Sequence, residues 1–233
     1  VTPTSLPPLP VSREHAPIPA VLHQVWVGPP VPGWVTRSWA NWRAFLPPTW
    51  ELRIWDDRAV TGHPVLDRTR RVAADLGIGP RGLSNMLRVQ IVALLGGLYT
   101  DVDCLPMGSI DGLAGDRPSW VACAPESARK APIENSCFGF RAGHPFLAEV
   151  LADAQRNLAR GVLSDFYLGG SRSFGTVFHR DPQRGDLEVR FDYTISGAVD
   201  LRRALADLGS ADPAGLLAKY GPFPVAHVFK PRL

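Results

Sequence analysis

The segment that most constrains this chain runs from Ser84 to Asp103 and reads SNMLRVQIVALLGGLYTDVD. Behind Ser84, a good N-cap, the apolar residues Leu87, Ile91, Leu94 and Leu95 recur at helical spacing, and Gly96-Gly97 stops the helix. Leu98-Tyr99-Thr100 then reads as a short buried strand that runs straight into Asp101 and Asp103. A buried helix followed by a buried strand leaves no idle place for two carboxylates, because unpaired charge beside a core is costly. Residues i and i+2 at a strand end point the same way, so both acids can face one cation. Hard oxygen ligands with open positions suit Mn2+ or Mg2+, whose other sites accept diphosphate oxygens.

The flanking sequence alternates between strand and helix patterns. Strands are expected at 20–28, 51–55, 98–100, 120–124, 136–140 and 225–229, and amphipathic helices at 37–45, 84–95, 146–158 and 197–208. This alternation predicts an α/β fold with a mostly parallel central sheet flanked by helices. Ligands of such sheets bind beyond the carboxyl ends of the strands, where Asp101 and Asp103 fall. No repeat or linker divides residues 20–233, which read as a single domain. Residues 1–19 carry six prolines and read as an extended arm, able to reach a neighbouring subunit in a homo-oligomer. Residues 161–186, rich in Gly, Ser and Arg, read as an irregular stretch long enough for an active-site loop.

Composition removes several classes. With 45% hydrophobic residues over 233 positions the chain can bury a sizeable core. The 25 basic and 22 acidic residues leave a net charge of +3 without a Lys/Arg run, so no nucleic-acid partner is expected. No stretch approaches the roughly 18 apolar residues of a membrane span, and the N-terminal VTPTSLPPLPVSREHAP lacks the pattern of a secretory signal. The expectation is a cytoplasmic protein. Cys104, Cys123 and Cys137 fit no ligand spacing and read as buried thiols. The glycines at 77, 79 and 82 spell G-x-G-x-x-G, but they follow a helical RVAADL rather than a strand. They read as a helix-to-helix connection, not a dinucleotide fingerprint.

Four segments together resemble glycosyltransferases that contain the DXD sugar-binding region: IPAVLHQVWVGPPVP at 18–32, WANW at 39–42, ELRIWDD at 51–57 and LSNMLRVQIVALLGGLYTDVD at 83–103. That family includes fungal initiating mannosyltransferases and the catalytic domains of clostridial glucosylating toxins. The resemblance spans about residues 18–150 and fades beyond Gly161. It implies a GT-A fold, a nucleotide-diphosphate sugar, a divalent metal and retained anomeric configuration. It also implies that Trp26 stacks on the nucleobase with Val25 beside it, that Asp101 contacts ribose or sugar hydroxyls and helps orient the metal shell, and that Asp103 is the direct metal ligand. Arg88 would reach the donor sugar or phosphates, and Asn135 would contact sugar. His227, where the family often places a histidine or serine, would complete the metal shell, with Lys230 near the diphosphate, although the family's tryptophan after Phe229 is missing. Asn85 departs from the usual Asp of this segment, keeping hydrogen bonds but losing charge. His23 reads as a packed, hydrogen-bonded residue.

The shared chemistry is heterolysis of the anomeric C–O bond to the diphosphate. The favoured outcome is transfer to a sugar or natural-product acceptor. The alternative is a flavin-independent pyranose/furanose mutase, in which the sugar's own O4 attacks C1 and no acceptor is needed. For the family this chain is short, its acceptor half is unrecognisable and Asn85 is unusual. A catalytically dead sugar-nucleotide-binding module is a third reading, disfavoured by Asp101, Asp103 and Arg88. The mannosyltransferase-like branch tilts the expected donor towards GDP over UDP.

Overall fold

Glycines 96 and 97 turn the chain from a 16-residue helix into a central strand. Gly96 has φ +67° and Gly97 φ +105°, conformations that L side chains rarely adopt. A Cβ on Gly97 would also lie 2.6 Å from the Val21 carbonyl oxygen, so the strand can lie this close to the neighbouring strand that carries Val21 only with glycine there. The computed structural model describes residues 5–12, 14–106, 109–123, 133–190 and 225–227.

Among these residues the strands are β1 (Val21–Val25), β2 (Glu51–Trp55), β3 (Gly97–Thr100), β4 (Cys104–Pro106), β5 (Ser119–Cys123), β6 (Ile133–Phe140), β7 (Leu187–Arg190) and β8 (Val225–His227). The helices are α1 (Gly33–Phe45), α2 (Asp57–Thr61), α3 (Pro64–Asp75), α4 (Pro80–Leu95), α5 (Pro145–Ala159) and α6 (Ser171–Arg180). The main sheet has the order β2-β1-β3-β6-β5-β7. Pairings β1·β2, β1·β3 and β5·β7 are parallel, and only β6 runs against its neighbours β3 and β5. The result is one α/β domain with a mostly parallel sheet flanked by helices.

Side-chain alternation sends neighbouring residues into two cores. Tyr99, Phe138 and Phe140 join the core built with α4, α5 and α6, while Leu98 and Cys137 join Trp42 of α1 and Trp120 on the other face. The aromatic cluster is continuous, with Tyr99 stacked on Phe138 at 5.3 Å and Phe138 5.2 Å from Phe174. The thiols of Cys104 and Cys137 are buried and unpaired, and burial pushes both up from the ordinary thiol value. No helix of the described residues is long and apolar enough to cross a membrane.

Several boundaries differ from the sequence expectation. Helix α4 starts at Pro80 behind Gly79, one turn before Ser84, because proline at the first helical position already has helical φ. The G-x-G-x-x-G segment is the link from α3 into α4. Residues 161–186 are not wholly irregular: they contain a 3-10 turn (Asp165–Tyr167) and α6, which buries Ser173, Phe174 and Val177. The C-terminal strand exists as β8, yet it pairs with β4 in a separate two-stranded sheet. The helix expected at 197–208 lies outside the described residues. The arm lies over its own chain: the Leu6 amide donates to Gln155 Oε1 at 2.6 Å and the Ser12 amide to the Gly143 carbonyl at 2.8 Å.

His23 and His144 act as neutral struts. His23 Nε2–H donates to the Gly96 carbonyl at 2.9 Å, and its Nδ1 accepts from Trp55 Nε1 at 3.2 Å. His144 Nδ1 accepts from the Phe146 amide at 3.2 Å, which leaves Nε2–H to donate to the Asp186 carbonyl at 3.1 Å. Burial lowers both rings from 6.5 to about 4. Below 6.5 the unfolded chain takes up protons that the folded rings refuse, so this stability is present above 6.5 and is lost as pH falls towards 4. At 1.36 kcal/mol per pH unit the loss is about 2 kcal/mol per ring by pH 5. Denaturant midpoints should therefore fall between pH 7 and pH 5, and a flat profile would exclude these protonation states.

Candidate functional site

The carboxyl ends of β1 and β3 and the start of the reversed strand β6 meet at one rim of the sheet. Parallel pairing places His23 beside Tyr99, so the next residues of both strands leave the sheet together. The Asp101 amide donates to the Ser136 carbonyl at 2.8 Å, extending the ladder one step past β3. The chain then turns, with the Cys104 amide returning to the Asp101 carbonyl at 2.9 Å. Asp101 and Asp103 thus lie in a turn rather than along a strand, and both carboxylates still line one cavity.

That cavity has a volume of about 350 Å3, within the range of small-ligand sites. Its walls include Val25, Trp26 and Pro29 after β1, Trp34 of α1, and Pro80, Arg81, Ser84 and Arg88 along one face of α4, with Asp101 and Asp103 closing one end. Residues 80, 84 and 88 recur at four-residue spacing, which is why one helix contributes so many side chains to one wall.

Arg88 is the centre of the polar end. Its Nη2 lies 2.8 Å from Asp101 Oδ1, and its Nη1 donates to the Asn135 carbonyl at 2.8 Å. Its guanidinium carbon sits 4.6 Å over the Tyr99 ring, whose hydroxyl donates to Asp101 Oδ1 at 2.8 Å. Burial works against the charge of Arg88, and Asp101, Tyr99 and Asp103 together outweigh it, so the guanidinium is held more firmly protonated than usual. Burial pushes the Tyr99 phenol well above its ordinary value, which keeps its proton available for Asp101. Arg88 Nε and Ser136 Oγ are buried without a hydrogen-bond partner, so polar capacity at this end is not exhausted by the protein.

The expected site residues divide into two groups. Val25, Trp26, Arg88, Asp101 and Asp103 share the cavity. Asn85 and Asn135 are not among its lining residues: they hydrogen-bond each other, Asn135 Nδ2 to Asn85 Oδ1 at 3.1 Å, beneath the wall. Asn85 Nδ2 donates to the Asp165 carbonyl at 2.9 Å, and Asn135 Nδ2 reaches the Gly169 carbonyl at 3.4 Å. The two amides therefore tie residues 165–169 to α4 and β6. His227 pairs through its backbone with Cys104, and its side chain lies outside what the structure describes. Sequence reasoning did not single out Arg81 or Trp34 and read Ser84 only as an N-cap; the helical spacing of 81, 84 and 88 was the signal that could have placed Arg81 and Ser84 on the cavity wall.

The described residues hold no group of three His, Cys, Asp or Glu side chains able to bind a metal. Two carboxylates on one cavity wall nevertheless fit Mg2+ or Mn2+, which are held by one or two carboxylates and complete their shells with water and phosphate. Charge agrees: Arg81 and Arg88 cancel Asp101 and Asp103, so a divalent cation would leave the lining at +2, opposite the two charges of a sugar-linked diphosphate.

No model of a known protein family matches the chain. Inositol phosphoceramide mannosyltransferase 3 of Schizosaccharomyces pombe is 28% identical over 156 residues, covering 64% of this chain and 39% of that protein. The chain thus spans well under half of this relative. Among solved structures, the PaToxG glycosyltransferase superposes with TM-score 0.54 at 18% identity, covering 71% of each chain. The ligand-free glycosyltransferase domain of the YGT toxin superposes with TM-score 0.53 at 11% identity, covering 74% of this chain and 80% of that one. The fold is that of GT-A-like glycosyltransferases.

The Asn85 amide gives a stability prediction. In Asn85→Asp a carboxylate oxygen replaces the donor facing the Asp165 carbonyl, leaving two acceptors opposed. The cost should be about 1–3 kcal/mol, read as a lower denaturant midpoint. An unchanged midpoint would show that the amide does not hold residues 165–169.

Proposed function

We propose that the protein is a metal-dependent enzyme acting on a nucleotide-diphosphate sugar, and that it transfers the sugar to an acceptor hydroxyl with retention at the anomeric carbon. The observation that carries this reading is a single cavity with indole rings at one end and a carboxylate pair, braced by a buried arginine, at the other. Aromatic faces suit a nucleobase, and the opposite end suits a diphosphate with its cation. The likeness to glycosyltransferase folds and to a mannosyltransferase supports the same reading.

In this mechanism Trp26 holds the base. Its Nε1 donates to the Pro29 carbonyl at 2.8 Å and its ring packs edge-on to Trp34 at 5.9 Å, so the indole is oriented before ligand arrives. Asp103, with Asp101, would hold Mn2+ or Mg2+, which when bound neutralises charge on the diphosphate. Asp101 is aimed by its contacts with Arg88 and Tyr99. Arg88 presents fixed positive charge where the diphosphate gains negative charge, and preorganised charge of this kind is commonly the largest contribution to catalysis. The C1–O bond breaks with its electron pair going to the diphosphate. The acceptor oxygen then bonds to C1 on the same face, and its proton passes to the departing phosphate oxygen.

The test is to incubate the protein with Mn2+ and a panel of GDP- and UDP-sugars, with and without simple sugar acceptors, and to follow products by NMR. Acceptor-dependent release of the nucleoside diphosphate is expected. Asp103→Ala should lower turnover at least a hundredfold, the order of effect of removing one electrostatic contact to the transition state. Full turnover in excess chelator would overturn the metal role. A donor isomer of unchanged mass, formed without acceptor, would replace transfer with the ring-isomerising mutase reaction.

A further inference from the structure

Resting on the nucleotide-sugar reading, we propose that Arg81 selects the nucleobase and that the base selected is guanine. The first turn of α4 presses against the loop that carries Trp26. A Cβ on Gly28 would come within 2.8 Å of Pro80 Cγ, so Pro80 and Arg81 stand at the Trp26–Pro29 end of the cavity. Arg88 lies seven residues on, about 10 Å along the helix axis, at the carboxylate end. The two arginines of the lining therefore serve opposite ends of a bound nucleotide.

The base end is lined by Val25, Trp26, Val27, Pro29, Trp34 and Pro80, with Arg81 as its charged side chain. The side chain of Arg81 is 81% exposed, and its Nε lies 3.9 Å from Asp165 Oδ2, a loose pair that leaves the guanidinium open to a ligand. Asp165 is itself positioned through its carbonyl by the Asn85 amide at 2.9 Å.

A guanidinium only donates hydrogen bonds, through a planar fork. Guanine presents two acceptors, N7 and O6, side by side on one edge and matches that fork. Adenine and cytosine place an amino donor there, and uracil offers a single carbonyl. With its face on an indole, a guanine presents its edge sideways, where a flexible arginine at the cavity wall can meet it. The expected order of affinity is GDP, then UDP, then ADP and CDP.

The test is binding of GDP, UDP, ADP and CDP to the full chain with Mn2+, read by quenching of tryptophan fluorescence and by calorimetry. Arg81→Ala should weaken GDP by roughly tenfold to a hundredfold and leave UDP within about twofold. Asp165→Asn should reduce GDP selectivity by a smaller factor. The side chain is exposed, so the variant's melting temperature should match the parent and exclude misfolding. Equal losses for GDP and UDP would make Arg81 a phosphate contact and overturn the proposal, as would tighter UDP than GDP in the parent. Failure of all four nucleotides to bind would overturn the donor reading and this inference with it. Binding without base preference would overturn this inference alone.

Discussion

The site depends on the ion pair between Arg88 and Asp101. One partner comes from α4 and the other from the turn after β3, and the Gly96-Gly97 reversal lies between them, so the pair locks helix and strand into one angle. The side chain of Arg88 is only 7% exposed and that of Asp101 23%, which removes most of the water that would otherwise solvate them. Taking away one member of such a pair strands the other and costs about 3–5 kcal/mol, far more than an exposed bridge is worth. Tyr99 completes the arrangement by stacking under the arginine and hydrogen-bonding the aspartate. The charges at this end are therefore placed by the fold before any ligand arrives, which is what electrostatic preorganisation requires.

Topology supplies the rest of the cavity. In a wholly parallel sheet only strand ends would meet at this rim. Because β6 runs backwards, its beginning arrives there too, bringing Asn135 and Ser136 beside the turn that holds Asp101 and Asp103. Helix α4 then crosses above with one face exposed to the cavity from Pro80 to Arg88. Two opposed walls of different chemistry result, one built on strand ends and the other on a helix face.

Much of this was legible in the sequence because the strongest local signals coincide. The helical period from Leu87 to Leu95, the double glycine and the paired acids fixed α4, β3 and the polar end without reference to tertiary structure. The β-rich run that ends at Gly28 marked a strand, while Trp26 and Val25 were singled out only through the resemblance of residues 18–32 to DXD-containing glycosyltransferases. The antiparallel course of β6 was not, since strand direction is decided by long-range pairing and leaves no mark in period-two alternation. Helix α6 was hidden by Gly169, Gly170 and Gly175, whose density reads as loop although Phe174 and Val177 are buried at helical spacing. Asn85 and Asn135 read as ligand contacts through the resemblance alone, and an amide's partners cannot be known from sequence; the structure links the two to each other and to residues 165–169.

One of the two anchors of Arg88 is the carbonyl of Asn135, not its side chain. Replacing the side chain at position 135 would cut the amide link to Asn85 and leave the seat of the guanidinium in place, because every amino acid brings the same carbonyl. A substitution survey would accordingly assign this strand position to loop support and overlook its part in holding the charge. Half of the arginine's wiring is written in main chain, invisible to alanine scanning and insensitive to drift at that codon, so it constrains the path of β6 more tightly than its letters.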